Sequence, residues 1–218
     1  MSFTFAQMRQ LSDTLQDKSG SPYWTAPQFD RLCNMAYNIW IRLNYLKFEQ
    51  SEEAKYKLRN LTLPFTVVNT RFVTFTGDIP KSRYIVRSNA TFEIKCGTKV
   101  SLVRVNLNPV QNNRIDNMES DPFNRGTDQE PNVIQTTSAL GVPELQVFSD
   151  TIPVEISGLY VRMPQIIDVT NNPNTIFEQD DDLTQEIVNM LAVTEDAVIE
   201  NYQRMQALSQ GVAQKMSG

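Results

Sequence analysis

The sequence predicts an α+β protein in which a helical bundle built from both termini carries an inserted antiparallel β-sandwich or small barrel. Three observations lead there. Apolar residues recur at three- and four-residue steps near both ends of the chain, they alternate with polar ones at a period of two through its middle, and the alternating runs are short and separated by turn residues. The expected helical part is discontinuous, 1–59 with 176–218, and the expected β-domain fills 60–175 with a long loop at 108–142. At 218 residues the chain is long enough for a sizeable core.

Taken in order, Thr4 and Gln7 have capping-box spacing, and Met8, Leu11 and Leu15 follow on one face until Ser19-Gly20-Ser21-Pro22 breaks the helix. Thr25 with Gln28, and Pro27 in the first turn, open a longer helix carrying Phe29, Leu32, Cys33, Ala36, Trp40, Leu43 and Phe48. The charged stretch 49–59, with Glu52–Tyr56 and Glu53–Lys57 one turn apart, reads as a solvated face. From Leu61 the period becomes two: Leu61/Leu63/Phe65/Val67, then 72–75, 84–86, Phe92/Ile94/Cys96, Val103/Val105/Leu107, and after a gap Ile152/Val154/Ile156 and Leu159/Val161/Met163. Pro64 within the first run marks it as an edge strand. The gap, 108–142, is rich in Asn, Asp, Pro and Gly, and Phe123 stands nearly alone there as an apolar side chain. A loop of that length in a compact domain is usually functional or flexible.

The last long element runs from 180 to 208. Leu183, Ile187, Met190, Leu191, Thr194, Ala197, Val198, Tyr202, Met205 and Leu208 form its apolar stripe, and Asp182 with Gln185 gives a third capping-box spacing. Such a helix must close against the N-terminal helices or against another subunit.

Charge is divided along the chain. Net charge is −5, but residues 1–115 hold 16 Lys and Arg against 8 Asp and Glu, a balance of +8, while residues 116–218 hold 4 against 17, a balance of −13. The halves either fold back on each other within one molecule or give a subunit with flanks of opposite sign, suited to head-to-tail association in a ring.

Few catalytic groups are available. There is no histidine, which removes the commonest general base and metal ligand, and the two cysteines, Cys33 and Cys96, are expected as buried free thiols. None of the 8 glycines builds a phosphate-cradling or nucleophile-elbow motif, so no enzymatic activity, metal or cofactor is expected. Asp180-Asp181-Asp182 reads as a helix-capping acid cluster rather than a calcium loop. The tripeptides at Asn60 and Asn89 match the glycosylation pattern, but without a secretory signal they are read as chance. No run approaches the ~20 apolar residues of a membrane span. Lys81, Arg83, Arg87, Lys95, Lys99 and Arg104, interleaved with Tyr84 and Phe92, would stripe one sheet face with positive charge. That stripe has three readings: DNA contact, an acidic-partner contact between subunits, or a solvated face.

Several segments carry a resemblance: Gly20-Ser21-Pro22-Tyr23 before the long helix, the loop Asp121-Pro122-Phe123-Asn124-Arg125-Gly126-Thr127, the strand Leu159-Tyr160-Val161-Arg162-Met163-Pro164, and Glu186-Ile187-Val188 in the acid-capped last helix. In this order they resemble head–tail connector (adaptor or ring) proteins of tailed bacteriophages, as in crAss-like and other phages of Bacteroidetes. The resemblance implies a virion protein made in the host cytoplasm, docked as a ring beneath the portal protein, often in twelve copies, joined to other connector or tail proteins and leaving a channel for DNA. It implies no catalytic residues. Asp121, Pro122, Phe123, Asn124 and Arg125 are the expected subunit-interface residues, and Arg83, Arg87, Lys95 and Lys99 the expected contacts to DNA or an acidic partner. A nucleic-acid-binding β-module and a tail or baseplate protein of the same virion are the alternatives.

Overall fold

The computed structural model describes residues 3–15, 24–76, 81–96, 99–121, 123–137 and 142–195, with the backbone alone at Lys95 and Cys96. In chain order the elements are α1 (Phe5–Leu15), α2 (Ala26–Leu46), α3 (Glu52–Lys57), β1 (Thr62–Val68), β2 (Phe72–Thr74), β3 (Ser82–Cys96), β4 (Lys99–Asn106), β5 (Asn108–Pro109), a 3-10 turn (Asn112–Arg114), α4 (Ile115–Ser120), β6 (Asn132–Thr137), β7 (Pro143–Phe148) and β8 (Glu155–Arg162). A final helix, α5, is described from 181 to 195. The expected continuation of its stripe through Ala197, Val198, Tyr202, Met205 and Leu208 lies outside the described residues.

Two compact units emerge: Met1–Asn60 with Pro164–Gly218, and Leu61–Met163. The chain therefore returns to the helical unit at Pro164, upstream of the expected boundary at 176. Two side chains of α2 account for this. Asn34 brackets Ile167, accepting from its N–H at 3.0 Å and donating to its carbonyl at 2.7 Å. Asp30 accepts from the N–H groups of Val169 (2.7 Å) and Thr170 (3.2 Å) and from the Thr170 hydroxyl. Hydrogen bonds to a charged group contribute about 1.5–3 kcal/mol each, net of the bonds to water they replace. Asp30→Ala is therefore expected to lower the stability of this unit by about 2–3 kcal/mol in a denaturant melt, with Asp30→Asn retaining part of it.

Within the helical unit both N-terminal capping boxes form. Thr4 N–H donates to Gln7 Oε1 at 2.8 Å, and Thr25 N–H donates to Gln28 Oε1 at 3.0 Å. The third does not: α5 is capped two residues earlier, with Thr184 N–H donating to Asp180 O at 2.8 Å, and Gln185 turns to Asn189 instead. Leu183, Ile187, Val188 and Leu191 are buried, so α5 closes within its own chain. Phe177, just before it, packs edge-on to Tyr37 at 5.1 Å and near Phe5 at 6.3 Å. The Tyr37 hydroxyl donates to Glu178 Oε1 and accepts from Gln179 Nε2, both at 2.7 Å. Leu43, expected in the core, is exposed, and Tyr37 and Ile41 are buried instead.

The stretch 49–59 is exposed over most of its length, as expected, but it buries Ala54 and Leu58 and its cations reach α5. Lys57 bridges Glu53 (2.8 Å) and Glu186 (2.7 Å), and Arg59 pairs with Asp180. Burial works against the Lys57 ammonium, but its hydrogen bonds to Glu186 and Glu53 outweigh it and raise the pKa. Part of the basic and acidic halves is thus neutralised inside one chain, in the cap region of α5.

The inserted unit holds two four-stranded sheets, ordered β1-β8-β3-β4 and β2-β7-β6-β5. Neither closes on itself, so the small barrel is not formed. The antiparallel expectation also needs correction, because β5 runs parallel to β6 over Asn108↔Asn132 and Pro109↔Val133. One apolar cluster draws on both sheets, including Phe65, Phe92, Ile156 and Tyr160 from the first and Val73, Val133, Leu145 and Val147 from the second. Pro64 does sit on an edge strand, β1, where its missing N–H costs no sheet hydrogen bond. The expected 108–142 loop is largely structured: it contains β5, the 3-10 turn, α4 and β6.

Candidate subunit interface

The turn around Phe123 is built from its flanks inward. Asp121 ends α4, and its carboxylate accepts from Phe123 N–H at 3.0 Å and from the Asn124 amide, while its carbonyl accepts from Asn124 and Arg125 N–H. Below the turn, Glu119 Oε1 accepts from Gly126 N–H (3.0 Å) and Asn132 Nδ2 (3.1 Å), and Asn132 is itself buried. Gly126 is required: a Cβ there would lie 2.2 Å from the Phe148 carbonyl oxygen. Arg125 reaches Asp150 at 3.4 Å. At the apex of this fixed turn the Phe123 ring is 93% exposed. Of the five expected interface residues, Asp121 and Asn124 form the scaffold, Arg125 ties it down, and Phe123 is presented; Pro122 lies outside the described residues.

The hydrogen bonds from Phe123 N–H and then Asn124 hold the Asp121 carboxyl below its usual range. A depressed folded pKa means that the contribution is complete above the ordinary aspartate value of ~3.9 and is lost as pH falls through the lower folded value. The turn is expected to stay intact at pH 5, with the Phe123 amide signal moving only at pH below ~3.9, as followed by NMR titration.

Beside the turn lies an open cleft of about 790 Å³, lined by Glu93, Ile94, Asp128, Asp150, Ile152 and Val154 among others. Asp128 is structural, accepting from Thr151 N–H and hydroxyl, both at 2.8 Å. Its lining combines the carboxylates of Glu93, Asp128 and Asp150 with the apolar side chains of Ile94, Ile152 and Val154.

The basic stripe is not continuous. Pairing of β3 with β8 shifts register between Ser82 and Tyr84 and between Ile85 and Arg87, leaving Arg83 and Val86 as extra residues and breaking the simple alternation. Arg83 lies 5.3 Å from the Tyr84 ring centroid. Arg87 is exposed, opposite Leu159. Lys99 pairs with Cys96 and Arg104 with Thr91, which puts Lys99 on the opposite ribbon face from Arg87 and Arg104; the Lys95 side chain lies outside the described residues. Arg104 donates to Ser157 Oγ at 3.2 Å.

Sequence reasoning missed two apolar surfaces. On α2, Met35, Ile39, Leu43 and Leu46 form an exposed row at helical spacing, legible as a second face had burial not been assigned to Leu43. On β4, Val100 and Leu102 are 58% and 65% exposed. Cys33, by contrast, is buried and free; burial first, then the Glu195 and Asp30 carboxylates, push its thiol pKa up and disfavour the thiolate. Among the described residues no group of three His, Cys, Asp or Glu is placed to hold a metal ion, and no helix is long and apolar enough to cross a membrane.

No protein-family model matches this chain, and no curated protein matches it.

Proposed function

We propose that this protein is a structural subunit of a tailed-phage virion that assembles with copies of itself into a ring in the portal–tail connector, with a portal protein and tail components as neighbours. The observation that carries the reading is Phe123, an aromatic ring held in water by a scaffold of six hydrogen bonds accepted by Asp121 and Glu119. Large exposed aromatics on pre-ordered turns are the usual anchors of protein interfaces, since little entropy remains to be lost on docking. The exposed row on α2 and the exposed face of β4 add apolar surface of the same kind. The inserted unit is read here as an open two-sheet sandwich serving as the rigid body that displays the turn. The resemblance to connector proteins supplies the place in the virion, and a position in the tail or baseplate differs only in its neighbours.

Phe123→Ala tests the anchor. The variant is expected to fold like the wild type, because the ring makes almost no contact within its own chain, and to weaken self-association about 30-fold, equivalent to about 2 kcal/mol. Mass photometry over a concentration series reads both. Unchanged assembly in the variant would remove Phe123 from the interface.

DNA contact is the second reading, favoured by the exposure of Arg87, Lys99 and Arg104. It requires salt-dependent DNA binding that falls when Arg83 and Arg87 are changed to Ala.

A further inference from the structure

Resting on the ring reading, we infer that the contact between successive copies is made by β4 of one copy entering the acidic cleft of the next. The donor is defined by elimination among the sheet edges. β1 carries Pro64, β2 has 3 residues, and β5 has 2 with Pro109 among them, so three edges are blunted in the ways that prevent strand addition. β4 is different: it has 8 residues, no proline, and lies at the end of its sheet with no strand among the described residues on its far side. Leu107 N–H donates to Ser88 O, which sets the alternation along the β3–β4 ladder and turns the backbone groups of Val100, Leu102 and Arg104 toward the open edge. The same residues bear the exposed Val100 and Leu102 side chains. β8 stops pairing with β3 at Thr91, whereas β4 continues to Cys96, so the ribbon projects beyond its sheet.

Charge selects the occupant. The stretch 94–115 contains Lys95, Lys99, Arg104 and Arg114 and no acidic residue. Self-pairing of two β4 edges would bring together Lys99 and Arg104 of both copies, with no acidic residue on the strand to offset them, which is unfavourable. The cleft offers the reverse: the carboxylates of Glu93 and of Asp150, the latter half-exposed beside Arg125, stand with Ile94, Ile152 and Val154 against a strand whose cations are Lys99 and Arg104. Donor and acceptor are different surfaces of the same unit, so the contact is heterologous and propagates into a ring or filament rather than stopping at a two-fold dimer.

The test uses two full-length variants. Lys99→Glu with Arg104→Glu disables the donor, and Glu93→Lys disables the acceptor; Asp128 is left to hold Thr151 and Asp150 to pair with Arg125. Each alone is expected to weaken self-association at least tenfold in mass photometry. Their equimolar mixture is expected to form a one-to-one dimer that grows no further, because one intact donor meets one intact acceptor. Wild-type assemblies are further expected to show slowed amide exchange at Val100, Leu102 and Arg104, a readout that stands even if a variant folds poorly. Undiminished ring formation by both variants, or a mixture that fails to pair together with freely exchanging β4 amides, overturns this contact while leaving the ring reading in place. A wild-type chain that stays monomeric at every concentration overturns the ring reading itself.

Discussion

Gly158→Ala is expected to destabilise the inserted unit by about 3 kcal/mol, at the upper end of what overpacking costs. Gly158 lies on β8, between β1 and β3, opposite Phe65 on one side and Ser88 on the other. A Cβ at this position would lie 2.2 Å from the Arg87 carbonyl oxygen and 2.8 Å from the Phe65 ring. The ring could turn, but the carbonyl belongs to the backbone beside the Ile85/Arg87 register shift and cannot retreat without disturbing the β3–β8 ladder. The expected observation is a lower denaturant midpoint by circular dichroism. Because both tryptophans, Trp24 and Trp40, belong to the helical unit, tryptophan fluorescence gives a separate signal for that unit. A midpoint within experimental error of wild type would show that β3 yields at the bulge.

Phe75→Ala is expected to cost about 3–5 kcal/mol, the range for deleting a fully buried aromatic ring. Phe75 is 0% exposed and follows β2, yet its ring meets Phe65 edge-on at 5.7 Å and Tyr160 at 5.1 Å, both from the other sheet. It is therefore a contact through which the two sheets share one core. With stabilities of small domains near 5–15 kcal/mol, the loss threatens folding of the unit at 37 °C. Phe75→Leu keeps most of the volume and is expected to cost less than half as much. Equal midpoints for Phe75→Ala and wild type would mean that the shared core contributes little.

What the sequence made legible was local. The capping boxes at Thr4 and Thr25 formed because both partners lie within one turn. Pro64 announced an edge because the imide nitrogen has no proton wherever the strand sits. The runs at 84–86 and Phe92/Ile94/Cys96 read as separate strands, but β3 continues through Ser88 and Asn89 because Gly158 and Ser157 of β8 pair with both residues. β7 was missed although Leu145 and Val147 alternate, and β6 was missed because Val133 and Ile134 are adjacent and both buried, which erases the period of two. The return of the chain to the helical unit was invisible, since Asn34 and Ile167 are 133 positions apart. In the candidate interface, the lone aromatic of a polar loop was a sound pointer to an exposed ring. The hydrogen bonds of Glu119 that hold its turn depend on strand β6 being in place, and the basic stripe was mislaid because two register shifts cannot be read from alternation.

The central claim is that copies of this chain complete one another. Native mass spectrometry of the purified full-length protein across a range of concentrations tests it most directly. A closed oligomer of fixed copy number, weakened by Phe123→Ala, is the predicted result; a single species at the 24.9 kDa mass of one chain at every concentration would contradict it.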